Sequence, residues 1–250
     1  MKEDLQKYLS EFKSISLTEA GVSLIAQRFD SKFIMPVSSL AKFLNLLRSH
    51  FSVLKIQQHL VHFYETLYFD TSQYKLYYDH HNEKPNRVKV RVRQYHSSGE
   101  VFFEVKHKFK GIKTGKLRLP QQKMMFEIGE QEWLLIRQAE KTIHGLEPKL
   151  LTCFNRITLI HQTKEEKITI DTDLRFRLSD QELAFNNCAI LEIKTETSRP
   201  SEKVHEAIHA LMLRQSPFSK YAIGVALLEK SVRANLFKPI ILQLKKTEHG

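Results

Sequence analysis

Arg87, Lys89, Arg91 and Arg93 occupy every second position of NRVKVRVRQY, with Val88, Val90 and Val92 between them. A strict period of two sends successive side chains to opposite faces of a strand, so one face is all cation and the other all valine. Same-face neighbours on a strand stand about 7 Å apart, close enough for the row to repel itself. An anion laid along the row relieves that repulsion. Guanidinium forks and ammonium point charges suit phosphoryl oxygens, and isolated carboxylates among them suit a hard divalent cation.

The same alternation recurs along the chain. Arg28, Asp30 and Lys32 oppose Phe29 and Phe33, and Glu104, Lys106 and Lys108 oppose Phe103, Val105 and Phe109. Lys116 and Arg118 oppose Leu117 and Leu119, while Arg156 and Thr158 oppose Ile157 and Leu159. Lys167, Thr169 and Asp171 oppose Ile168 and Ile170, and Glu192 and Lys194 oppose Leu191 and Ile193. Two architectures accommodate this. An open sheet puts the charged faces in water. A closed antiparallel β-barrel of about eight strands turns them inward around a ligand and sets the apolar faces under a helical coat.

The elements that position these faces follow from pattern and punctuation. Residues 1–20 read as a short amphipathic helix and a loop, and 27–36 as a strand stopped by Pro36. Ser38 and Ser39 are candidate caps for a helix striped by Leu40, Phe43, Leu44 and Leu47. Strands are expected over 59–71, 86–95, 101–109, 113–120, 153–162, 166–176 and 188–196. Helices are expected over 130–145, with Gly145 as C-cap, and over 199–215 and 219–230. Adjacent strand pairs favour an antiparallel α+β fold. One domain is expected over 21–232, after an N-terminal extension (1–20) and before a polar C-terminal tail (233–250).

The 250 residues include 42% apolar residues, enough for a core, and 39 basic against 28 acidic residues give a net charge of +11. That excess points to an anionic partner. Two cysteines, Cys153 and Cys188, exclude a disulfide framework, and no stretch is long and apolar enough for a signal peptide or a spanning helix. A cytoplasmic protein is expected.

The segments RFDSKFIMP, ETLYFDTSQYKLYYD, RVKVRVRQY, FFEVKHKFKG with KTGKLRLP, CFNRITLIH, KITIDTDLRF, AILEIKTE and FSKYAIGVALL stand in this order over about residues 25–230. As an ordered set they resemble the VTC (vacuolar transporter chaperone) domain, the polyphosphate polymerase branch of the triphosphate tunnel metalloenzyme superfamily. The resemblance implies a basic tunnel through an antiparallel barrel. It implies transfer of the terminal phosphate of ATP to polyphosphate, with phosphate or pyrophosphate as related ligands and Mn²⁺ or Mg²⁺ as cofactor.

Carried over residue by residue, it makes Arg91, Arg93, Lys106, Arg156, Glu192 and Lys220 the catalytic set. Lys32, Lys116, Arg118, Lys167, Lys194 and Ser219 join Arg91, Arg93, Lys106, Arg156 and Lys220 in substrate binding. Glu192 becomes the metal ligand, with Glu104 and Asp171 as further candidates. RFDSK stands where the hydrolase branch opens with ExExK, which lowers the case for a plain triphosphatase. Pro217 replaces a lysine of some family members. No inositol-pyrophosphate-sensing module and no membrane span is expected in the chain, which leaves a membrane-associated partner protein as a candidate partner.

Other readings compete. A triphosphatase of the same superfamily and a non-catalytic polyphosphate or nucleotide binder use the same cations. Nucleic acid as main partner is disfavoured, because the cations lie on strands interleaved with carboxylates. Tyr64, Tyr68, Tyr77 and Tyr78 read as packing rather than as base-stacking platforms. His205-Glu206-Ala207-Ile208-His209 spells HExxH, the zinc metallopeptidase pattern, with Glu229 downstream. A covering helix near the C-terminus leaves little chain for a peptidase lobe.

Overall fold

The alternating runs become strands of one sheet. A computed structural model describes residues 2–21, 29–108 and 114–250. In chain order, α1 (Lys2–Ser10) leads to β1 (Lys13–Ser16), β2 (Phe29–Pro36), α2 (Leu40–Leu47), β3 (Phe51–Lys55) and β4 (His62–Thr71). Then come α3 (Lys75–His81), the hairpin of β5 (Arg87–Tyr95) and β6 (Glu100–Lys108), β7 (Thr114–Gln121) and α4 (Glu130–Ala139). The long β8 (Leu146–His161), β9 (Glu166–Leu178), β10 (Gln181–Phe185) and β11 (Cys188–Thr195) precede α5 (Glu202–Ala210), α6 (Lys220–Leu228) and α7 (Lys238–His249).

The strands form an 11-stranded sheet in the order β2-β11-β9-β8-β4-β5-β6-β7, with β10 on β9, β3 on β8 and β1 on β3. Pairing is antiparallel except between β1 and β3. The expected closed barrel is corrected here: among the described residues β2 and β7 end the sheet and do not pair with each other. The outer edge of β2 is taken instead by the segment before α6. Phe33 bridges Gln215, and the Ser216 amide donates to Lys32 O at 2.7 Å.

The open sheet still curls. From β2 to β5 are five strand spacings, about 24 Å if laid flat. Yet Lys32 Nζ donates to Phe218 O at 2.8 Å and Lys89 Nζ donates to Ser219 Oγ at 2.9 Å, so both strands reach one turn. The cationic face is therefore concave.

Apolar faces lie under helices. Val88, Val90, Val92, Phe103 and Val105 pack with Ile136 of α4, while Ile157, Leu159, Ile168, Ile170 and Leu191 pack with α1, α2 and α5. Helix α6 packs with Phe154, Phe176 and Tyr64. Its close approach requires Gly224, where a Cβ would stand 2.6 Å from both Leu150 and Phe176 side-chain carbons.

Several expectations change. Residues 238–249 are a helix, not a polar tail, because Ile240 and Leu244 bury one stripe of it. Residues 13–16, expected as loop, form β1 beside β3. Ser39 is the N-cap of α2 but makes no side-chain cap bond, because a 3-10 turn (Val37–Ser39) already places it in the helical region. Helix α4 stops at Ala139, where Glu140 turns extended and its carboxylate binds Thr142 instead. Gly145, at φ 60°, lies beyond that end. The 199–215 helix shrinks to α5, which ends just before Met212 in the left-handed region. Arg28 and Phe109 lie outside the described residues, as do the first two residues of the 27–36 strand.

Candidate active site

Register assembles the first charge cluster. Arg91 stands directly opposite Glu104, and Glu104 opposite Arg118, so three side chains from β5, β6 and β7 share the concave face. Glu104 is fully buried. It accepts Arg91 Nε at 2.8 Å and Arg91 NH2 at 2.5 Å on one oxygen, and Arg118 NH2 at 2.8 Å on the other. Lys116 also pairs with it. Burial opposes the charge of Glu104, but Arg91, Arg93 and Lys116 more than offset it and hold the carboxyl far below its usual range. Three cations and, at 3.4 Å, the Tyr95 hydroxyl surround its two oxygens.

A second cluster centres on Asp171. Arg156 donates through Nε at 2.5 Å and NH2 at 2.7 Å, the bidentate fork, and Lys220 from the first turn of α6 completes it. Against burial, Arg156 and then Lys220 bring Asp171 down to about 2. Burial pushes Lys220 down to about 8 despite Asp171. Aromatic rings floor this region. Arg156 lies 5.2 Å from the Tyr64 ring centre, Arg93 5.6 Å from the same ring, and Lys220 Nζ 4.4 Å from that of Phe154.

Arg93 and Lys106 differ from these paired cations. Arg93 is buried and its Nε donates to Thr66 Oγ1 at 2.9 Å; among the described residues no carboxylate pairs with it. Burial, and then Arg91, work against its charge. Lys106 likewise makes no ion pair among the described residues, and Arg91, burial and Arg93 push its ammonium well below the usual lysine value. Glu104 and Glu192 favour these two charges from a distance, but no carboxylate among the described residues pairs with either, so both are placed to take an incoming anion.

The third cluster lies on β2, β9 and β11. Glu192 pairs with Lys194 and, at 3.8 Å, with Lys32. Lys167 stands opposite Lys194. Burial opposes the charge of Glu192, and Lys194 and Lys32 hold it well below the usual carboxylate range. Thr169, directly opposite Glu192, is buried and its Oγ1 has no hydrogen-bond partner. A carboxylate beside an unused hydroxyl fits a hydrated hard cation, which takes few protein oxygens and fills its shell with water and phosphate. Glu104 and Asp171 do not fit that role, because cations saturate both. Among the described residues no three acidic, histidine or cysteine side chains converge as a metal cage.

At one end the concave face opens into a cavity of about 650 Å³ lined by Lys32, Arg87, Lys89, Lys106, Lys108 and the 215–219 turn. Asp30 stands at its edge. The structure thus brings together Lys32, Arg91, Arg93, Lys106, Lys116, Arg118, Arg156, Lys167, Lys194, Ser219 and Lys220 along one face. His205, Glu206 and His209 are instead exposed on α5, with Glu206 paired to Lys203 at 2.8 Å. Glu229 binds Tyr74 OH at 2.9 Å.

Sequence reasoning read Tyr64 and Tyr68 as packing but missed Thr66 and Asp70 as supports. Both continue the period of two from Tyr64, a readable signal, but the period does not show the partners of Asp70. Its buried carboxylate accepts the amides of Leu76 and Tyr77 at 2.8 Å each and the Tyr221 hydroxyl at 2.5 Å, which ties β4, α3 and α6 together. Burial raises its pKa.

Among the described residues no helix is long and apolar enough to cross a membrane. Solved structures with a similar course include an adenylate cyclase candidate from Bacillus halodurans, 14% identical over 76% of this chain and 92% of its own, at a TM-score of 0.48. A Hippeastrum protein, described as having a dominant triphosphatase activity, is 16% identical over 79% of this chain and 95% of its own, at a TM-score of 0.47. A Pyrococcus horikoshii protein is 14% identical over 78% and 97%, at a TM-score of 0.44. Comparison with curated proteins gives no match. Residues 27–229, the stretch that carries every cation of the concave face, match the family model of the VTC domain, and the chain belongs to that family.

Proposed function

We propose that the chain is a polyphosphate polymerase-like phosphotransferase that moves the terminal phosphate of ATP onto a growing polyphosphate chain. The observation that carries this reading is the pair Arg93 and Lys106, buried cations without carboxylate partners among the described residues, set between fully paired clusters. Family membership supports it.

Arg91, Arg93, Lys106, Lys116, Arg156 and Lys220 hold phosphoryl oxygens, with Lys32, Arg118, Lys167, Lys194 and Ser219 extending the path. Glu104 and Asp171 orient their cations and do not touch the chain. The chain-end phosphate oxygen forms a bond to the γ-phosphorus as the bond to the β,γ-bridging oxygen breaks, and ADP carries away the electron pair. The attacking group is already an anion, so no strong general base is needed. Positioning and charge neutralisation do the catalysis. Glu192, with Thr169 beside it, would hold Mn²⁺ or Mg²⁺, which would supply positive charge to offset that of the phosphates. The concave walls limit water as a competing acceptor.

Incubation of the purified protein with ATP and Mn²⁺, with products resolved on a gel, tests the reading. A polyphosphate ladder is expected from the wild type and none from Arg93→Ala or Glu192→Gln, both still folded by circular dichroism. Free phosphate without a ladder would make the chain a triphosphatase, no turnover a binder, and a full ladder from both variants would reject the site.

A further inference from the structure

The 215–220 turn is held from three sides. Strand β2 binds it through Ser216 N to Lys32 O at 2.7 Å and Lys32 Nζ to Phe218 O at 2.8 Å. Strand β9 binds its end through Asp171 and Lys220. Strand β5 reaches it through Lys89, whose Nζ donates to Ser219 Oγ at 2.9 Å. Ser219 is buried and caps α6, its Oγ accepting the Ala222 amide while its carbonyl accepts the Ile223 amide at 2.9 Å. One hydroxyl thus joins a strand of the sheet to the helical turn that carries Lys220.

We infer that Lys89 is a positioning residue: through the Ser219 hydroxyl it fixes the first turn of α6 and so places Lys220 for phosphate. This rests on the proposed function for the identity of the ligand. Lys89 has no carboxylate partner among the described residues, and it meets the helix through its bond to the Ser219 hydroxyl. Burial, with Lys32 and Arg87 nearby, lowers it to about 7. Charged or neutral, the amine still donates to the hydroxyl, so its grip on α6 persists where its value as a bare charge declines.

A double-mutant cycle decides the point, because residues that act through one another are non-additive. Lys89→Met and Ser219→Ala are made singly and together, with Lys89→Arg as conservative rescue and Lys89→Gln as a second deletion should Met misfold. Each variant is titrated calorimetrically with inorganic tripolyphosphate and assayed for polymer formation from ATP. Lys89→Met is expected to weaken tripolyphosphate binding and lower kcat/KM about tenfold. In the Ser219→Ala background it changes neither by more than about twofold. Lys89→Arg, which restores a donor, recovers most of the loss.

Equal losses in both backgrounds would mean that Lys89 contacts the anion directly, and no loss in the first would mean that it positions nothing; either result overturns the inference. A wild type that binds tripolyphosphate but makes no polymer removes the polymerase reading alone, and the binding cycle still decides the role of Lys89. A wild type that does not bind tripolyphosphate overturns both.

Discussion

At the scale of single residues, paired and unpaired cations must behave differently on mutation. Glu104 is fully buried and faces Arg91, Lys116 and Arg118, so Glu104→Gln strands three charges. Breaking a buried pair from one side costs about 3–5 kcal/mol, and denaturant unfolding should show a loss of that order. Arg93→Met strands no carboxylate among the described residues and removes a charge that burial disfavours. Its unfolding midpoint should stay at or above that of the wild type. If Glu104→Gln proved neutral, the carboxylate would not be the anchor described here.

At the scale of elements, helix α6 is the part whose seat matters most. Gly224→Val places side-chain carbons where Leu150 and Phe176 already lie 2.6 Å from an ideal Cβ. Overpacking of this kind typically costs about 1–3 kcal/mol. Because α6 carries Ser219 and Lys220, the substitution should also weaken tripolyphosphate binding; unchanged stability and binding would show that α6 has room to shift. Alternation made this scale partly legible. In RVKVRVRQY it separated the cation and valine faces, and SKYAIGVALLEK was legible as a helix, though not the cap that Ser219 gives it. It was silent where a strand buries both faces, as in Phe51–Lys55, whose first four residues are all buried. Helix α3 escaped because its first turn is tied by Asp70 from β4 rather than by its own KLYYDHH. The three charge clusters were legible as residue types but not as partners. That Glu104 meets Arg91 and Arg118 rather than a metal depends on strand register, which a single sequence leaves open.

At the scale of the whole molecule, crowded lysines link pH to stability and to ligand. Lys89, Lys116 and Lys220 are lowered to about 7, about 8 and about 8, chiefly by burial. Their unfolded values lie near 10.4, so between about 7 and 9 the unfolded chain binds more protons and native stability rises with pH. The melting temperature of the ligand-free protein should therefore climb from about pH 7 to about pH 9 at constant ionic strength, whereas a flat or falling profile would contradict the crowding. Saturating tripolyphosphate should raise the melting temperature most at the lower end, where the ammonium groups carry charge for it to balance. The concave basic face as a linear-phosphate site is the claim beneath all of this. Calorimetric titration of inorganic tripolyphosphate into wild type and Arg93→Met side by side tests it most directly. The wild type should bind one equivalent and Arg93→Met should lose at least about a hundredfold in affinity, on the scale of stranding a charge-assisted contact; equal affinity in the two proteins, or no binding by the wild type, would contradict it.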